Sequence, residues 1–356
     1  MRVLPALAFL AVLLAVGCRR GPPPITRPLF PMATAWTAPL TSVVEGPLAF
    51  DAATVYVATR DGVVRGVDAA SGRTRWRVED RPGVVSAGDE ALAVRAADGT
   101  VWRLDKRTGA TRWKAASGVA GTLPSVLYKD VVVAAGEGLA VLDAATGRTV
   151  WSAPEVRATA VPLPWGERLL VGEADGALRC RDLATGAVLW TYTTARPPLA
   201  PPVVDDEGRV LFGTTDRQFV SLDGEKGRER WSWRVGADVQ APPIVAGPRV
   251  LFATHEDVLY ALQRGSGNLA WRASLPSRPL SGPLPYAESV LVACFGTRPG
   301  ETFLIGFDAR TGARQGDLKA AGEVRTPPVI VGDLVVMALR ERALTALRLG
   351  DIGANP

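Results

Sequence analysis

Very few residues in this chain are equipped for catalysis. It has one histidine, His255, and three cysteines, Cys18, Cys180 and Cys294. A Ser-His-Asp triad, a Cys-His pair or a zinc site would have to be built from these four. That excludes most hydrolase and metalloenzyme classes and leaves only carboxylate chemistry. The run Asp205-Asp206-Glu207-Gly208 has the composition of a calcium loop, but it joins two apolar stretches and reads as a solvated turn. His255, beside Glu256 and Asp257, falls where a hairpin turn is expected and reads as a surface residue. Cys180 and Cys294 read as small buried apolar groups. No residue is assigned a catalytic, cofactor-binding or metal-binding role, and no cofactor is expected.

The remaining cysteine has a different context. Residues 1–17, MRVLPALAFLAVLLAVG, carry one charge at Arg2 and then an apolar run too short to span a bilayer comfortably. The run ends on Gly17-Cys18 and resembles a bacterial lipoprotein signal, with Ala15 where leucine is most usual. The resemblance implies cleavage before Cys18, lipidation of Cys18, and a lipid-anchored place in the bacterial cell envelope, at the outer membrane facing the periplasm. Residues 18–33 are proline-rich and read as an extended stalk. The formal charge of +5 comes from 36 arginines and only five lysines, spread without a dense basic run. Nucleic acid is therefore not an expected partner.

The elements that must position everything else appear in the 37 glycines, 28 prolines and ten tryptophans. The unit Asp-x-x-Ser/Thr-Gly-x-x-x-Trp recurs: Asp68 to Trp76, Asp105 to Trp113, Asp143 to Trp151, Asp182 to Trp190 and, with Lys226 before the glycine, Asp223 to Trp231. A sixth copy has Gln263 with Trp271. A seventh, from Asp308, has Gly316 in place of the tryptophan. Unit spacings run 37, 38, 39, 41, 40 and 45 residues. The aspartate opens a turn, the glycine takes its left-handed position, and the tryptophan wedges against a neighbouring sheet.

Prolines at 47, 124, 162, 202, 243 and 283 fall eleven or twelve residues after a tryptophan, and the second unit is shortened there. Proline suits the start of an innermost strand. Each period is a four-stranded sheet of about 40 residues, the size of a propeller blade. A truncated eighth unit ends near Leu349 before any tryptophan strand, and Trp36 stands on a strand with no hairpin ahead of it. The fold is expected to be an all-β, eight-bladed propeller of antiparallel blades over residues 34–350. The strand near Trp36 closes the ring, and 351–356 form a tail.

The repeat resembles the tryptophan-docking motif of the PQQ-like eight-bladed propellers, a superfamily that holds the quinoprotein dehydrogenases and the BamB-type outer-membrane assembly lipoproteins. The resemblance implies a structural blade-docking role for Trp36, Trp76, Trp113, Trp151, Trp190, Trp231 and Trp271. A quinoprotein would need residues for PQQ and calcium, a catalytic aspartate and commonly a disulfide between adjacent cysteines. Here Cys180 and Cys294 lie three blades apart, beyond the ~7 Å Cα limit for a bridge. The BamB-type resemblance implies a non-enzymatic scaffold with protein partners in the envelope, among them the outer-membrane barrel-insertion machinery. The alternatives are a propeller that binds a small ligand or envelope polymer, or a PQQ-dependent dehydrogenase. The insertion Phe295–Glu301 lengthens the seventh blade and is a candidate contact loop. Trp165 and Trp233 lie outside the docking position and would mark an interface if exposed.

Overall fold

The computed structural model describes residues 28–350, apart from Leu199, Thr297, Pro299 and Arg325. Cys18 and the tail 351–356 lie outside the described residues. The 32 strands form eight four-stranded antiparallel sheets, with no helix among the described residues. The blades cover 49–78, 84–116, 126–153, 163–193, 203–234, 244–274 and 284–321, and the eighth joins 329–349 to 32–39. Met32–Pro39 pairs with Ala343–Leu349, with Met32 opposite Leu349 and Pro39 opposite Ala343. Strands from the two ends of the body thus share one sheet, and the ring has no open sheet edge between them.

Prolines directly precede the innermost strands that begin at Leu163, Val203, Ile244, Leu284 and Val329. That strand lacks a ladder partner on its axial side, so a missing N–H costs nothing there. Blade 2 departs from the pattern. Its inner strand starts at Val84, behind Gly83, whose φ is 128°. A side chain at position 83 would place its Cβ 2.0 Å from the Arg95 carbonyl oxygen, so only glycine fits.

The core is divided into eight apolar clusters, one in each gap between neighbouring blades. Alternation along the middle two strands of each blade sends residues to the gaps on either side. Val133 and Val141 face blade 4, whereas Val132 and Ala140 face blade 2. A strand buried on both faces therefore reads as a continuous apolar run.

The body begins earlier than residue 34. Leu29 is 1% exposed and packs between blades 7 and 8, and Phe30 lies over Gly306 and Gly316 of blade 7. Residues 28–31, read from the sequence as stalk, include part of the ring's seam. The physical reason is the missing tryptophan at position 316. The bare Gly306–Gly316 pair leaves an aromatic-sized space, and Phe30 fills it from the other end of the chain.

Candidate functional site

The ring has two ends of different character. At the hairpin end, Asp68, Asp105, Asp143, Asp182 and Asp308 each accept hydrogen bonds from the backbone N–H and side-chain hydroxyl of the serine or threonine three residues on. Their glycines, from Gly72 to Gly312, hold φ between 67° and 78°. The Arg75 guanidinium beside Asp68, with the Ser71 hydroxyl, holds that carboxyl at about 2, and Arg112 and Thr108 do the same for Asp105.

Onto each of these turns docks an indole from the preceding blade. The N–H groups of Trp36, Trp76, Trp113, Trp151, Trp190, Trp231 and Trp271 donate to the carbonyls of Ala69, Lys106, Ala144, Leu183, Gly224, Arg264 and Ala309 at 2.7–3.2 Å. The ring faces lie on Gly72, Gly109, Gly147, Gly186, Gly227, Gly267 and Gly312, where a Cβ would come within 3.0 Å. A β-bulge just before the tryptophan makes this possible. Val141 pairs with Trp151 but Leu142 with Thr149, so Val150 is turned outward and left 52% exposed. The same slip recurs in every blade except the eighth, which has its own variant between Thr34 and Trp36. Nothing in the residue types announces the bulge; only the constant Trp spacing hints at it.

The acidic run is also at the hairpin end, and it is not simply a solvated turn. Asp205 has a fully buried side chain: one oxygen accepts from the N–H groups of Glu207 and Arg209, the other from Arg209 Nε at 2.7 Å. Its lone pairs are committed to the chain itself, and Asp206 is paired with Arg264 of the next blade. Trp165 and Trp233 are both partly buried. Trp165 lies against Gly208 and Gly224, and Trp233 packs in the gap between blades 5 and 6.

At the crossover end, the turn between the second and third strands meets the segment that leads to the next blade. The fourth residue of each turn accepts an N–H from that segment: Gly62 from Arg81, Gly99 from Ser117, Gly176 from Thr194, Arg217 from Val235 and Asp257 from Leu275. In blades 1, 2 and 4 it is glycine with φ of 77–88°; in blades 5, 6 and 8 it is Arg217, Asp257 and Arg342 at 61–65°, Arg342 accepting from Leu40. Between blades 5 and 7 these segments surround a cleft of about 610 Å³ lined by Arg196, Arg217, Arg278, Asp216, Asp238 and His255. His255 is therefore a half-buried wall of the cleft rather than a plain surface residue. Burial, and then the Arg278 charge, push its pKa below the ordinary value, so the imidazole is neutral at pH 7. Phe295, 45% exposed, stands beside Arg278 and lines an adjoining hollow with Gln240 and Ala241.

The buried polar group that sequence reasoning missed altogether is Arg95. It is 1% exposed and donates to the carbonyls of Leu123, Ala135 and Val119 at 2.6–2.7 Å. Desolvation lowers its pKa to about 10. It ties the crossover after the shortened blade 2 to blade 3.

A quinoprotein site is not supported by these donors. Among the described residues no three His, Cys, Asp or Glu side chains are grouped to hold a metal. Cys180 and Cys294 are single buried thiols whose burial raises their pKa to about 11 and about 12.

Fold and docking geometry define a PQQ-type eight-bladed propeller. The chain belongs to the family described as outer membrane protein assembly factor BamB, whose profile matches residues 33–87, 81–201, 174–274 and 255–351. Among relatives, it is 24% identical over 186 residues to outer membrane protein assembly factor BamB of Legionella pneumophila, covering 50% of this chain and 47% of that protein. It is 36% identical over 70 residues to quinoprotein ethanol dehydrogenase of Pseudomonas putida, covering 19% of this chain and 11% of that protein. The matched stretches thus span half or less of these two relatives. The crystal structure of BamB from Moraxella catarrhalis superposes with a TM-score of 0.76 at 20% identity, over 92% of this chain and all of that one.

Proposed function

We propose that this chain is a non-enzymatic scaffold of the bacterial cell envelope, anchored through a lipid on Cys18, that assists outer-membrane β-barrel assembly through protein–protein contacts. The observation that carries the reading is the family match, which runs through all eight blades from 33 to 351. The ring's architecture agrees with it. The repeated residues are consumed in holding blades together, and the donors needed for a quinone–calcium site are not grouped. Partner contacts belong to the crossover end, where turn residues differ from blade to blade and side chains such as Gln240 and Phe295 stand exposed.

The test is affinity purification of the tagged, full-length chain from membranes, with mass spectrometry of what accompanies it. The barrel-insertion protein should be recovered as a major partner; its absence among other abundant partners contradicts the assignment. Mass analysis of the N-terminal peptide checks the anchor. A diacylated Cys18 peptide is expected, and an unmodified or uncleaved one would contradict it.

A further inference from the structure

We propose that the cleft between blades 5 and 7 at the crossover end is a binding site for a phosphate group, held by Arg196, Arg217 and Arg278. It stands independently of the scaffold reading.

Two observations carry it. First, the three guanidiniums come from three different segments: the crossover after blade 4, the turn of blade 5 and the crossover after blade 6. They line one cavity of about 610 Å³. Second, none of the three forms an ion pair among the described residues. Several arginines elsewhere at the same end are paired: Arg179 with Glu173 and Asp175 at 2.6 Å, Arg157 with Glu137 at 2.8 Å, Arg340 with Glu323 at 2.9 Å. The wall also holds two carboxylates, Asp216, which accepts from the Thr214 hydroxyl, and Asp238, 3.4 Å from the Gln240 amide, so three guanidiniums set against two carboxylates leave the lining net positive.

The chemistry favours phosphate over a lone carboxylate. Three guanidinium forks bring three charges from three directions. A phosphate monoester offers three terminal oxygens and close to two negative charges, whereas a carboxylate offers two oxygens in one plane. Thr215 also lines the cleft, its hydroxyl donating to the Pro197 carbonyl, and the neutral His255 ring stands in the wall without adding charge.

The experiment is titration calorimetry of the full-length chain in low salt with inorganic phosphate, acetate and a glutamate-rich peptide. Flotation with phosphatidylcholine vesicles, with or without phosphatidic acid, runs alongside. Phosphate should bind, and Arg217→Gly and Arg278→Gln should each weaken it at least tenfold. Arg217→Gly should at the same time raise Tm, since glycine takes a φ of 65° without strain and is the residue used in blades 1, 2 and 4; a merely structural arginine would lower it. Added flotation with phosphatidic acid that free phosphate competes away identifies a lipid headgroup as the source. Phosphate binding without added flotation identifies a soluble phosphate. No phosphate binding, binding untouched by either variant, or equal binding of acetate or the acidic peptide would overturn the proposal.

Discussion

The hairpin end and the crossover end are made by the same eight sheets, yet they use their residues in opposite ways. At the hairpin end the repeated polar groups are used on the ring itself: aspartates cap their own turns, indoles bond to the next blade, and Asp205 is sealed by Arg209. At the crossover end the backbone pattern is as regular, but the side chains placed on it differ in each blade. Where the first end tolerates no unpaired charge in its buried turns, the second exposes three unpaired arginines around one cleft. A repeat fixes the positions that must dock, and positions that need not dock are left for contact with something else.

Substitutions at the two ends should therefore separate cleanly in stability. The largest loss is expected for Trp190→Ala, at 8% exposure one of the two most buried docking indoles, at about 3–5 kcal/mol by urea unfolding. A loss under about 1 kcal/mol would break the structural reading of the motif. Arg209→Ala removes the nearer of the two guanidiniums beside the buried Asp205 carboxylate, leaving Arg264 at 3.5 Å, and should cost about 3 kcal/mol. At the seam, Gly316→Trp restores the repeat's own residue but collides with Phe30, and should cost about 1–3 kcal/mol. Combining it with Phe30→Ala should recover part of that loss; simple addition of the two losses would mean that Phe30 does not stand in for the indole.

A smaller effect comes from acid. Asp68 and Asp105 titrate near 2 in the folded chain and near 3.9 when unfolded. Their contribution is full above about pH 4 and is lost as pH falls toward 2. The fall in Tm over that window should be shallower in Arg75→Gln/Arg112→Gln than in the parent chain. Smallest of all, Arg278→Gln at the crossover end should shift stability by no more than about 0.5 kcal/mol.

This division also sets what could be read from the sequence. The Asp-x-x-Thr-Gly-x-x-x-Trp unit is local, so its turns, its count and the closure at Trp36 were legible from spacing alone. The prolines placed the inner strands for the same reason. Phe30 was not legible as part of the body, because its partners Gly306 and Gly316 are remote in the chain and only ring closure brings them near. Arg95 was hidden by its type, since a lone arginine in an apolar strand gives no sign that three carbonyls await it. The arginine cleft joins residues from three crossovers, and His255 was read as surface because its neighbours in space are not its neighbours in sequence.

The claim that one end folds and the other binds is tested most directly by site-specific photo-crosslinking of the full-length chain in membranes. A crosslinking residue at Gln240, in the wall beside the cleft, is compared with one at Lys226, in a repeat hairpin; both positions are exposed. The account predicts that position 240 captures the barrel-insertion protein and position 226 does not. Capture of that protein at 226 with none at 240 would contradict it.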